Sequence, residues 1–488
     1  MTLHRAPPLP RGLIEAARAA SGGTRFRLFP AYAEGLAPDI VAVSLPPGSI
    51  GPGPSDPRMY VADATAKPAS YDPPAYSPPY QGAVLPPALP DASGNFDHIP
   101  LGTPQFLAAH LYGSVRHTLD IWQRYLHRRI EWASAAEYPR MELIPLLDWN
   151  NAQSGPGFIE TGLWRGPDGL TQPFALNFDV VAHETGHQIL FSTLGVPASG
   201  DVGVPFLAFH EAFSDLIAII ALMHFPSVLP ALQQETRGNL YLLNLVNRFA
   251  ETSQHTQIRL ASNTATMADV ADITLAADGT WIDASGLGRN QHAIAAPLIG
   301  AIFDILVEIY QETLVSEGLL PEEADVRGWT RDEVDAAFAS VHLSSAQAFA
   351  SFTAGFHAAI RDARDETGHA LAHAMLTLRP EGLTFDEVAA RFIEGLLEHG
   401  HGAILHAALD HFLWRGIDPR PFLRFVPVAP PGRRRAAALF RVAISTHRQG
   451  CTHCRSELTL RAARLIRAGH EAAGTHHDRF VPSSNPPR

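Results

Sequence analysis

The stretch that decides the reading of this chain is Asn177-Phe178-Asp179-Val180-Val181-Ala182-His183-Glu184-Thr185-Gly186-His187. In a helix, four residues turn the chain by about 400°, so His183 and His187 share one face, one turn apart. Two imidazoles so placed can hold one zinc ion at about 2.0–2.1 Å each. Glu184 is offset from that face by one residue. It suits a general base working on a water that the metal polarises, not a ligand. A bare His-Glu-x-x-His match is common by chance, so the surrounding sequence has to decide.

A catalytic zinc site needs a third protein ligand and an open fourth position. Downstream comes His210-Glu211-Ala212-Phe213-Ser214-Asp215, in a run that continues as apolar sequence to Met223. Glu211 and Asp215 are four apart and share a helix face. One carboxylate can ligate the metal, and the other can accept the outer ring N–H of a ligand histidine, fixing its tautomer. Unpaired carboxylates in so apolar a run would be expensive.

The linked patterns DVVAHETGH (179–187) and HEAFSD (210–215) resemble the thermolysin-like metallopeptidases of the gluzincin group. The resemblance covers about residues 96–310. It implies an α+β fold of two lobes, a mixed α/β N-terminal lobe and a mostly helical C-terminal lobe, with the zinc cleft between them. It implies His183, His187 and Glu211 as the ligands of one catalytic zinc, Glu184 as the base, and Asp215 as the partner of a ligand histidine. Asp148-Trp149-Asn150-Asn151-Ala152 resembles the family's edge strand, which makes Asn151 and Ala152 peptide-gripping residues by strand addition. Asn290-Gln291-His292 opens an apolar helical pattern and resembles the segment whose histidine faces the zinc. His292 would then stabilise the oxyanion.

Three departures accompany the resemblance. The family's tyrosine between the second zinc histidine and the glutamate ligand has no counterpart in residues 188–210. The aspartate that orients the family's proton-donating histidine is replaced by Leu287, with Asp283 the nearest substitute. The arginine that touches the substrate carbonyl has no clear match; Arg259 and Arg289 are the candidates. These departures motivate an alternative function, an inactive zinc-bound scaffold of the same fold that binds peptides. The acidic position eleven residues after Glu211 is Leu222, so the family's double calcium site is expected to be missing. Asp179 then supports the first turn of the zinc helix.

Outward from this centre, the helical patterns fall at 179–193, 208–224, 292–315, 331–340, 344–362, 384–398 and 402–414. Upstream, Thr103-Pro104 opens an amphipathic helix. From Pro46 to Pro100 the chain is rich in Pro and Gly, which excludes a long helix or a central strand there. That stretch reads as extended loop or linker, with one short strand at Arg58–Asp63. The expected organisation is a Pro/Gly-rich region at 1–95, which its composition allows as an inert linker and the family resemblance implies as a removable propeptide, and a mixed lobe at 96–205. A helical lobe at 206–425 and a basic tail at 426–488 complete it.

The formal charge is −12, with 37 Lys and Arg against 49 Asp and Glu. That balance argues against nucleic acid as the main partner, because phosphate binding needs a cationic surface. Peptide or protein is the expected substrate. The most apolar run, Leu216 to Met223, is far short of the roughly 20 residues of a membrane span. No apolar secretory stretch opens the chain, so the location expected is cytoplasmic, or export without a recognisable signal. Cys451 and Cys454 are its two cysteines, which excludes a disulfide-stapled scaffold. With His470 and His476 or His477 they have the spacing of a small second zinc site, but a reduced pair and stray histidines in a basic tail are the stronger reading. The cluster Glu398, His399, His401, His406, Asp410 and His411 reads as a solvated helix end and face.

Overall fold

A computed structural model describes residues 22–32, 35–165, 171–197, 203–253, 256–275, 281–286, 288–289, 291–400 and 402–424. The chain begins with a hairpin of β1 (Arg25–Leu28) and β2 (Asp39–Ala42), followed by β3 (Met59–Val61). Helix α1 (Pro104–Tyr125) comes next, capped by the Thr103 hydroxyl, which accepts from Phe106 N at 3.1 Å. Strands β4 (Met141–Ile144), β5 (Ala152–Gly155) and β6 (Phe158–Thr161) join β3 in one four-stranded sheet, in the order β3-β4-β6-β5. β4 runs parallel to β3 and β6, while β5 runs antiparallel to β6 and forms an edge. A second hairpin, β7 (Leu163–Arg165) with β8 (Thr171–Pro173), leads toward the zinc-motif helix.

Because side chains alternate along a strand, the sheet sorts its residues onto two faces. Met59, Met141, Leu143, Ile159 and Ala152 lie on one face and join the main core with α1. Ile144 and Phe158 lie on the other and pack with Ala62, Leu147 and Tyr71 in a second, smaller cluster. The sheet is therefore covered on both sides: by helices on one, and by the Pro-rich segment after β3 on the other. The short strand expected at 58–63 is β3. The chain that follows it is the sheet's second cover, and its residues Ala62 and Tyr71 are buried. The segment upstream is tied down as well. Ser44 N and Oγ both bond the Asp120 carboxylate of α1 at 2.7 Å, and Tyr112 donates to Asp56 at 2.5 Å.

The rest is mainly helical. α2 (Phe178–Thr193) and α3 (Val204–Leu222) pack together, and α4 (Val228–Thr236) follows. Short pieces lie between them and the next long helix: the hairpin β9 (Arg248–Ser253) and β10 (Thr256–Leu260), α5 (Met267–Val270), and the three-stranded β11 (Thr274–Leu275), β12 (Trp281–Ile282) and β13 (Gly288–Arg289). Helices α6 (Gln291–Ser316), α7 (Arg331–Ala336), α8 (Phe338–Thr377), α9 (Phe385–Glu398) and α10 (Leu405–Trp414) complete the described chain. The architecture is thus α+β, with an N-terminal mixed sheet and a helical C-terminal part. A single hydrophobic cluster runs from Phe26 to Ile417 and includes residues of both parts.

Helices α3 and α6 are long and apolar enough to cross a membrane by length and composition, although charged residues interrupt the apolar run of each. Their most apolar windows are 89% buried within the protein itself, so they serve as core helices. The patterns at 331–340 and 344–362 become α7 and the start of α8, which bends at Phe352 and continues to Thr377. His411 departs from the solvated reading. It is buried and protonated more readily than an ordinary histidine: burial opposes its charge, but Glu308 and Asp304 outweigh burial. His406 and Asp410 form the expected i,i+4 pair at 3.2 Å.

Gly186 explains how closely α2 and α3 approach. A Cβ at that position would stand 3.0 Å from Ser214 Cα and 3.2 Å from its Oγ. Gly186→Val is therefore expected to cost about 1–3 kcal/mol by overpacking, read as a lower urea midpoint of unfolding.

Candidate metal centre

The helical run of residues 178–193 puts the two histidines where their spacing demands. His183 Nε2 and His187 Nε2 face each other at 3.1 Å. From α3, Glu211 Oε2 comes within 3.4 Å of the first and 3.7 Å of the second. Among the described residues this is the one group of three His, Cys, Asp or Glu side chains whose ligand atoms converge. Tetrahedral ligands about 2.0–2.1 Å from one ion stand about 3.3–3.4 Å apart, so the donor set fits zinc in both chemistry and spacing. All three side chains are fully buried, as is Glu184.

The outer ring nitrogen of His183 settles its tautomer. His183 Nδ1 lies 2.7 Å from Asp215 Oδ1, so Nδ1–H donates to the carboxylate and the Nε2 lone pair points at the metal position. His187 Nδ1 lies 3.0 Å from Ser214 Oγ, a hydroxyl that can serve the ring as acceptor or donor. Of the two carboxylates on the α3 face, Glu211 joins the histidine Nε2 atoms and Asp215 stands behind one ring. Arg259 grips Asp215 with two bonds, Nε at 2.8 Å and an Nη at 2.6 Å. Burial works against charge on Asp215, but Arg259 and His183 outweigh it and hold the carboxyl below its usual range. Asp215→Ala is expected to weaken zinc binding about 10–100-fold, measured by competition with a chromophoric chelator.

His292, in the first turn of α6, places Nδ1 3.0 Å from Glu211 Oε2. Its neighbour Gln291 donates to Glu211 Oε1 at 3.0 Å, so both carboxylate oxygens are engaged. Asp283 accepts from Ser285 N at 3.0 Å and from its Oγ at 2.6 Å in its own turn. The carboxylate beside His292 is Glu211 itself. Of the side chains around the metal position, His292 and Arg259 carry the most exposure, 7% and 11%.

Asn151 and Ala152 lie at the start of the edge strand β5, on the side of the sheet order away from β3. Gln188, next after His187, donates to Gly155 O at 3.1 Å and so ties the zinc-motif helix to that strand. Asn151 is 1% exposed, yet neither its Oδ1 nor its Nδ2 meets a partner among the described residues. A buried amide left so calls for a ligand or an ordered water. Asp179 sits in the first turn of α2 and accepts from Val180 N at 2.9 Å. Asp179 and Leu222 line one small pocket with Asn177, Pro30 and Leu245. Arg289 enters the description by its backbone, paired with Trp281 in the small sheet. Leu287, His401, Cys451, Cys454, His470, His476 and His477 lie outside the described residues.

Three partners escaped the reading of spacing. Ser214 lay inside the quoted motif, and Gln291 directly precedes His292. Arg259 was a candidate for touching substrate; its two bonds to Asp215 give it a further task. Charge complementarity near the motif was the available signal for Arg259, but no spacing rule links residues 215 and 259.

No protein-family model matches the chain, and the search of curated proteins finds no match. Among solved structures, the chain is similar to the precursor of protealysin, a metalloproteinase from Serratia proteamaculans. The alignment covers 73% of this chain and 86% of that one, at 12% identity and a TM-score of 0.41.

Proposed function

We propose that this protein is a zinc-dependent metalloendopeptidase of the thermolysin-like kind. The observation that supports it best is the convergence of His183 Nε2, His187 Nε2 and Glu211 Oε2, with the Asp215 carboxylate at the other nitrogen of His183 and the Ser214 hydroxyl at that of His187. Zinc, when bound, supplies a Lewis acid that polarises the scissile carbonyl and acidifies a water. Glu184 takes a proton from the attacking water as its oxygen bonds to the carbonyl carbon. It then passes that proton to the amine nitrogen as the C–N bond breaks. His292 donates a hydrogen bond to the carbonyl oxygen as charge builds there.

Asn151 and Ala152 hold the peptide backbone along the edge strand β5, and the orphaned Asn151 amide supports that role. Arg289 is assigned to the substrate by the resemblance alone, and Asp179 to support of the α2 N-terminus. The test is cleavage of unfolded casein by the purified full chain. Cleavage abolished by a zinc chelator and restored by added zinc is expected. Cleavage indifferent to the chelator would exclude a metallopeptidase, and no cleavage by a zinc-loaded protein would favour the inactive peptide-binding scaffold.

A further inference from the structure

The cover on the second face of the sheet is polar where it meets the strands. Lys67 is fully buried and pairs with Glu160 of β6 at 2.8 Å. Its ammonium also donates to Ala69 O at 2.8 Å and lies 3.5 Å above the Tyr71 ring. Tyr71 N donates to the other Glu160 oxygen at 2.6 Å. Tyr71 O accepts from the Gln153 amide at 3.0 Å, and that amide also reaches Glu160 at 2.5 Å. Glu142 of β4 accepts from Tyr60 at 2.6 Å, from the Tyr71 hydroxyl, and from Tyr80 N. The segment thus starts from β3 at one edge of the sheet and reaches Gln153 in β5 at the other.

We propose that Lys67 and Tyr71 are positioning residues for the edge strand β5, so that residues 62–80 are a retained part of the working protein and hold its peptide-binding edge. This rests on the proposed role of β5 in gripping substrate. Gln153 is the strand's own contact with the clasp, two residues from Asn151. Its amide is satisfied by Tyr71 O and Glu160 together. Glu160 in turn keeps its place through Lys67: a buried carboxylate without its cation is strongly unfavourable. Burial pushes the Glu160 carboxyl up and the Lys67 ammonium down, and each partner works to restore the other's charge. Removal of the clasp would also uncover Ile144 and Phe158, which are 0% exposed.

The experiment uses the full chain with Lys67→Met, and Lys67→Met combined with Glu160→Gln. The double variant leaves no buried charge, and its Gln oxygen can still accept from Tyr71 N and Gln153. For a casein-derived peptide, Lys67→Met is expected to raise KM about tenfold with kcat within about twofold, and the double variant to recover most of that loss. Amide exchange of residues 152–155 is expected to quicken about tenfold in Lys67→Met while the interior of α2 keeps its protection. A kcat lowered in step with the folded fraction, with KM and the 152–155 amides unchanged, would overturn the proposal and leave the clasp merely structural. If the wild-type chain cleaves nothing, the peptidase reading falls, while unchanged exchange at 152–155 would still refute the clasp.

Discussion

Glu184→Gln is expected to lower kcat on casein by about 10²–10⁴-fold while the protein keeps its zinc. The substitution preserves shape and removes only the ability to take and return a proton. Glu184 sits on α2 between the two histidines in sequence, yet it is not among the three converging donors. Metal binding and proton transfer are therefore assigned to separate side chains and should separate on mutation. Zinc content is measured by elemental analysis and turnover by fluorescent casein. A fully active Glu184→Gln variant would refute the mechanism. An inactive wild type that nevertheless holds zinc and binds peptide would move the chain to the scaffold reading.

Glu211→Ala should have the second large effect. It removes the anionic donor and leaves two neutral imidazoles 3.1 Å apart. Loss of a residue that merely supports a ligand costs about 10–100-fold in metal affinity, so loss of the ligand itself should cost more than about 100-fold. Casein cleavage should vanish at ordinary zinc concentrations. Gln291 also loses its acceptor, and His292 loses the carboxylate that it faces at 3.0 Å. Added zinc is therefore not expected to restore full activity even where it refills the site. Competition with a chelator gives the affinity, and activity at saturating zinc gives the residual rate. An affinity equal to wild type would mean that Glu211 is not a ligand.

The centre was legible because its parts are close in sequence. His183 and His187 need only a helical turn, and Glu211 with Asp215 need only another. The resulting convergence follows from two helices, α2 and α3, packed across Gly186. The N-terminal cover was not legible. Its prolines exclude a long helix or a central strand, but composition cannot distinguish a linker from an ordered irregular layer. What orders it are pairs far apart in the chain: Lys67 with Glu160, Tyr60 and Tyr71 with Glu142. Helix α4 was missed as well. It follows Pro226 directly, and its apolar face of Val228, Leu229 and Leu232 is too short to stand out as a period. His411 misled because a histidine beside other polar residues looks solvated. Its partners, Asp304 and Glu308, come from α6, about a hundred residues upstream.

The most direct test is the metal content of the purified full chain. His183, His187 and Glu211 converge at spacings that suit one tetrahedral zinc. The expected result is one tightly held zinc attributable to this centre, lost in Glu211→Ala while the chain stays folded. A folded wild-type chain that takes up no zinc at all, even when supplied with it, would contradict the metal centre and every step of the chemistry built upon it.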